Sequence, residues 1–288
     1  MSIIAYCKVK EEIISQIREI DKQCKKHDKL HGSICLDTSL NIDQGMNSIF
    51  LYYEEDRLVS VLSVFMPSAE EAEITACTLP EYRQKGYFNQ LLNEAKKELL
   101  KYQPIDILYV CEPQSQGGVA AIHKLGAELD FTEYFLRYSG DTSEEMRRKH
   151  SEMVLRNAEA EDIESLIMLS QQTFGDEYDN AKSLITKSLE SSNRTQYIVT
   201  LKGEPIGLAA VSIEDFETSI FGVGILPNQQ GKGYGKDLLI LLIEIIKKQG
   251  IDNITLEVDS SNQNAFHLYK KCGFVVAASY DYYRKSLT

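Results

Sequence analysis

The stretch from residue 78 to residue 126 of this chain occurs twice. Moved by 147 positions, Leu79-Pro80 falls on Leu226-Pro227, Lys85-Gly86-Tyr87 on Lys232-Gly233-Tyr234 and Leu91-Leu92 on Leu238-Leu239. Lys124 and Gly126 fall on Lys271 and Gly273, and no gap is needed. Chance matches a few residues but rarely holds their spacing over about 50 positions. Whatever one copy folds into, the other is then expected to fold into as well. At ~100–200 residues per domain, 288 residues leave room for two copies, each with its own core. Between them Gly140-Asp141-Thr142-Ser143-Glu144-Glu145 is polar and turn-rich, and Arg147-Arg148-Lys149 follows. The sequence predicts one domain over 1–140, a linker over 141–151 and a second domain over 152–288.

Hydrophobic spacing gives the same element order in both copies. Ile13, Ile14, Ile17 and Ile20 repeat with helical period in 11–26, as do Ile163, Leu166, Ile167 and Leu169 in 162–171. Strand pairs are expected at 49–53 and 58–65 and again at 197–201 and 206–213, about short polar turns. Each copy continues with a strand (74–79; 220–226), a glycine turn, a long helix, another strand (107–111; 254–258), a short helix and a closing Tyr-rich strand. This is an α/β fold with a mixed sheet: strands pair first and a β-α-β unit follows.

The net charge of −12 divides evenly, −6 in residues 1–140 and −6 in 141–288, with no basic stripe or tail. That argues against nucleic acid as a partner. The most apolar stretch, 238–246, is too short to span a bilayer and contains Glu244, so no membrane segment is expected. Six cysteines without a C-x-x-C pair read as reduced thiols of a cytoplasmic protein. His27 and His31 have the spacing of a metal pair but lack a third ligand, and no metal is expected.

Chemistry concentrates after the second strand–turn. Gln230-Gly231-Lys232-Gly233-Tyr234-Gly235 lies between a strand and a helix. Glycines there let the backbone turn sharply and present successive N–H groups at a helix N-terminus, a cradle for pyrophosphate. Lys232 and Lys236 can add charge. The pattern is neither a Walker loop nor a Rossmann fingerprint. The strand before it, Phe221-Gly222-Val223-Gly224-Ile225, carries two glycines, which mark a bulge or the close approach of another backbone.

The Q-x-x-G-x-G pattern resembles the acetyl-CoA-binding motif of the GNAT superfamily of N-acetyltransferases. Residues 254–274 resemble that family's second signature through Asn262, Ala265, Tyr269, Gly273 and Phe274. The resemblance covers 153–285 and implies two tandem GNAT-like domains with acetyl-CoA as cosubstrate. It implies cofactor contacts from Val223, Gly224, Ile225, Gln230 through Lys236, and Asn262, the last of which also suits a helix cap. Tyr269 suits a core position. By resemblance it is the general acid, since a phenol of pKa about 10 can protonate a departing thiolate of about 8.5. Glu257 suits either a solvent-facing strand position or the base that takes the proton of the attacking amine. The spacing from Glu257 to Tyr269 is similar to that of the ribosomal-protein-alanine acetyltransferases. Asp259 departs from the basic residue usual after L-E-V in that group, so its substrate is not carried over.

The first copy keeps Arg83, Gly86 and Tyr87 but has Phe88 where the next glycine belongs. At the 147-residue offset Ile122 replaces Tyr269, Val110 replaces Glu257 and Ser115 replaces Asn262, so this copy is expected to have lost catalysis. Glu73 is a candidate substitute base, and Tyr280, Tyr282 and Tyr283 are candidates to line an acceptor pocket or a plain strand. The resulting expectation is direct transfer of an acetyl group from acetyl-CoA to a small-molecule amine or a peptide N-terminus. The competing class is a non-catalytic acyl-CoA sensor.

Overall fold

The computed structural model describes residues 2–140, 147–214 and 217–287. The linker expected over 141–151 thus lies partly outside the described residues. The first repeat runs β1 (Ser2–Tyr6), α1 (Glu11–Asp28), β2 (Ile49–Glu54), β3 (Arg57–Phe65), β4 (Glu71–Thr78), α2 (Tyr87–Leu99), β5 (Asp106–Cys111), α3 (Gln116–Lys124) and β6 (Glu128–Tyr138). The second runs β7 (Met153–Asn157), α4 (Ile163–Phe174), α5 (Tyr178–Glu190), β8 (Arg194–Leu201), β9 (Glu204–Glu214), β10 (Glu217–Ile225), α6 (Tyr234–Lys248), β11 (Asn253–Asp259), α7 (Gln263–Lys271) and β12 (Phe274–Ser286).

Local sequence explains most of these elements. Leu239, Leu242, Ile243 and Ile246 form one buried stripe on α6, the face that a sheet requires. The β8–β9 hairpin turns on Lys202-Gly203, with φ of 54° and 90°, which matches the twist of the flanking strands. Two short strands, β1 and β7, and the helix α5 were not expected. Each strand has five residues and little alternation.

Two compact units result, and they do not divide as the repeat suggests. Unit 1 comprises residues 1–133 and 278–288, and unit 2 comprises 134–277. The predicted boundary at 141–151 therefore falls inside unit 2. In unit 1 the strand beside β5 is the end of β12: Asp281 to Ser286 pair antiparallel with Cys111 to Asp106. In unit 2 the strand beside β11 is β6. Each repeat was expected to close its own sheet with its own last strand. Instead, each unit receives the closing strand of the other repeat next to its parallel pair. Arg284 of β12 fixes this in unit 1, with Glu71 at 2.9 Å, Asp106 at 3.1 Å and Asp130 at 2.7 Å.

The core of unit 1 gathers Ile17, Phe50, Leu62, Leu91 and Tyr109 with Tyr283 of β12. Unit 2 has two cores. Leu136, Ile220, Leu239 and Leu256 pack on the α6 face of its sheet. Leu166, Ile185, Ile198 and Leu208 pack on the α4–α5 face.

Candidate functional site

The sequence in β10 forces its ladder to break. Pairing with β9 runs to Phe221↔Ala210 and resumes at Gly224↔Leu208, so Gly222 and Val223 oppose Ala209 alone, a β-bulge. Gly222 takes φ of 56°, which a branched side chain would resist. Gly224 is required by packing: a Cβ there would lie 2.5 Å from Thr173 Cγ2 and 2.7 Å from Phe174 Cζ. A Cβ on Gly207 of β9 would lie 2.4 Å from the carbonyl oxygen of Gly224. On its other side β10 pairs in parallel with β11 from Glu217↔Asn253 to Ile220↔Leu256. Beyond that register the segment holding Val223, Gly224 and Ile225 continues outside the β11 ladder.

The turn that follows is held from within. Gln230 Nε2 donates to the carbonyl of Ile225 at 2.9 Å. Gly231 and Gly233 have φ of 75° and 95°, and a Cβ on Gly231 would meet nothing within 4 Å. Gly233 is the N-cap of α6, and no side chain caps the helix. The first-turn amides of Tyr234, Gly235 and Lys236 therefore face outward at the positive end of the helix dipole. The Lys232 ammonium is drawn back to Asn228 O and Gln229 Oε1, both at 2.9 Å. This cradle suits a pyrophosphate through its backbone more than through lysine charge.

Asn262 caps α7, its Oδ1 accepting from the Ala265 amide at 3.1 Å, so its Nδ2 is left to donate elsewhere. Tyr269, on α7, is 8% exposed and belongs to the core on the α6 face. Its ring meets Phe274 edge-on at 6.2 Å. Burial pushes its hydroxyl up to about 12, with a smaller contribution from Cys272. Glu257 stands exposed on β11 between buried Leu256 and Val258. The residues expected to bind the cofactor, with Glu257 and Tyr269, all lie in unit 2, whereas Glu73 lies in unit 1.

Unit 1 keeps the turn and loses the rest. Gln84, at the position of Gly231, adopts the same left-handed backbone with φ of 63°, and Gly86 follows at 83°. Arg83 Nε donates to the Thr78 carbonyl at 3.0 Å, the counterpart of Gln230 and Ile225. Its guanidinium is also closed by Asp28 at 2.9 and 2.5 Å. Lys85 sits 4.5 Å over the Tyr82 ring, and the Tyr87 hydroxyl donates to Glu54 at 2.7 Å. β4 pairs with β3 in unbroken register from Ser60↔Thr78 to Phe65↔Glu73, so there is no bulge. Phe88 replaces Gly235, whose Cβ would lie 3.2 Å from Leu268. Ala121 stands at the position of Leu268. Ile122 is buried at 5% exposure, and no side chain caps α3 at Ser115.

Other candidates separate. Tyr280, Tyr282 and Tyr283 belong to unit 1, where the last two are buried. His27 pairs with Asp28 and His31 with Glu112, so they do not converge. Among the described residues no helix is long and apolar enough to cross a membrane. Sequence reasoning missed His150 and Asp237, which lie against the glycine turn. The one available signal was an aspartate leading an apolar run.

Residues 160–274 match the model of the acetyltransferase (GNAT) family. The chain is 44% identical over 69 residues to the ribosomal protein bS18-alanine N-acetyltransferase of Haemophilus influenzae. That match covers 24% of this chain and 47% of the relative, so the chain spans about half of its length. Two solved structures share the whole fold. One is a GCN5-related N-acetyltransferase from Sphaerobacter thermophilus, with a TM-score of 0.77, 15% identity and coverage of 99% of this chain and 96% of that one. The other is a tandem GNAT protein from the clavulanic acid biosynthesis pathway, with a TM-score of 0.75, 11% identity and coverage of 100% and 98%. At these identities the likeness is one of fold.

Proposed function

We propose, from the match of residues 160–274 to the acetyltransferase (GNAT) family, that unit 2 transfers an acetyl group from acetyl-CoA directly to a primary amine. The observation that carries the reading is the bulge at Gly222-Val223. It takes backbone out of the ladder directly before an uncapped helix N-terminus, and only unit 2 combines the two. In this reading the amides near Val223 and Ile225 hold the thioester oxygen as charge develops on it. The amine nitrogen bonds to the acetyl carbon and the carbon–sulfur bond breaks. Glu257 takes the amine proton and the Tyr269 hydroxyl gives one to the departing thiolate. The high pKa of Tyr269 keeps that proton in place throughout the working pH range. A small amine or a peptide N-terminus is the acceptor class.

Gly233→Asp tests the donor site. It places a negative charge at the N-cap and asks an aspartate to adopt φ of 95°. CoA affinity measured by calorimetry should fall at least about tenfold, the scale of one lost charge-assisted hydrogen bond. An unchanged affinity in the folded variant removes the assignment. Release of free thiol from acetyl-CoA against a panel of amines tests turnover. Tight CoA binding with no release for any amine would leave a binding module.

A further inference from the structure

Residues 147–150 cross the first turn of α6 and are fastened to one buried side chain. Asp237, the fourth residue of the helix, is 1% exposed. Its carboxylate accepts the Lys149 amide at 3.1 and 3.0 Å and the His150 amide at 2.7 Å. The same Oδ2 lies 2.9 Å from His150 Nδ1. An ionised carboxylate only accepts, so Nδ1 carries the hydrogen between them, and Nε2 is the remaining polar atom of the ring. That ring is centred 4.5 Å from the ring of Tyr234. Its Cε1 lies 3.4 Å from the place a Cβ would take on Gly233, the N-cap of the uncapped helix. The side chain remains 29% exposed. The imidazole is thus oriented by a buried acid and set beside the turn, with its outer nitrogen uncommitted to Asp237. The other repeat has Gln90 at the position of Asp237, so no acid stands there in unit 1.

We propose that His150 is a donor-binding residue whose Nε2 gives a hydrogen bond to the pyrophosphate of the acyl-CoA, with Asp237 as its positioning residue. The inference rests on the reading of the 230–235 turn as the CoA site. The pyrophosphate is the group addressed because His150 lies at the N-cap, where the helix amides converge. Tyr234 and Asp237 of α6 face the ring, and Lys149 adjoins it in sequence. In the proposed complex both ring nitrogens carry hydrogen, Nδ1 donating to Asp237 and Nε2 to the phosphate.

The test is His150→Phe in the full chain, which keeps a ring against Tyr234 and removes both nitrogens, alongside His150→Ala. Calorimetry with CoA, dephospho-CoA and millimolar pantetheine reads the outcome. Both variants should bind CoA and dephospho-CoA about 10- to 100-fold more weakly, by the same factor, with pantetheine unchanged. Unchanged affinity for CoA would overturn the proposal, as would a loss seen with CoA but not with dephospho-CoA, which would point to the 3′-phosphate. An equal loss for pantetheine would show that His150 serves only the shape of the turn. If the unaltered protein binds no CoA, the reading of the turn itself fails, which is a separate result.

Discussion

The glycine turns of the two units have the same backbone and opposite surroundings. Gln84 and Gly86 reproduce the left-handed φ values of Gly231 and Gly233, and Arg83 reaches the strand end just as Gln230 does. In unit 1, however, Asp28 and Glu54 engage Arg83, Lys85 and Tyr87, and β4 runs straight through the register where β10 bulges. The turn geometry is common to both units because folding needs it, since it carries a strand into a helix. The bulge, the uncrowded cradle and the tyrosine are the features that differ, and they are those the proposed transfer uses.

The largest effect should come from removing residues 278–288. Unit 1 then loses the strand beside β5, the Arg284 cluster and the Tyr283 contribution to its core. Hydrogen exchange in β4 and β5 should rise to that of an unfolded segment, while amides of β9 and β10 keep most of their protection. Full protection of β5 in the shortened chain would mean that the exchanged strand is dispensable, and the two units would be more alike than described.

Next in size is Tyr269→Phe, which keeps the ring and removes the proton. The turnover number should fall about 10²–10⁴-fold, the usual range for a general acid. Installing Ile122→Tyr in that background should restore nothing, because the unit around it has no bulge. A sign follows for pH. A hydroxyl raised to about 12 stays protonated as pH rises through 10, so the alkaline side of the wild-type profile should carry no limb from this tyrosine. A limb near 9 that disappears in the phenylalanine variant would contradict the buried position.

The smallest effect is a paired measurement on the caps. Asn262→Ala removes a cap hydrogen bond and should lower stability by about 1 kcal/mol. Ser115→Ala removes none and should leave stability within about 0.5 kcal/mol. Equal losses in urea denaturation would erase this difference between the repeats.

What the sequence made legible was local. The 147-residue offset, the hairpins, the glycine turn and the N-terminus of α7 all follow from short-range chemistry, whether period, positive φ or a capping side chain. The β10 glycines announced a bulge, though not that Gly224 would make room for Thr173 and Phe174. Strand exchange could not be read, because a repeat offers two equivalent partners to each closing strand and the pattern is indifferent between them. β1 and β7 were missed because alternation is faint over five residues. Asp237 was not singled out, because an acid in a helix's first turn ordinarily faces solvent. Its burial depends on His150 and Lys149, 87 and 88 residues away.

The exchanged strands also set an order of events during synthesis. Unit 1 leaves the ribosome first, yet residues 278–286, which it needs beside β5, arrive some 145 residues after residue 133. At ~5–20 residues per second that is a wait on the order of ten seconds. Throughout it the side of β5 that awaits β12 stands unpaired, the kind of edge on which nascent chains aggregate. The half that emerges first is therefore the half that matures last, and a nascent chain of this protein should call on chaperones through its first repeat.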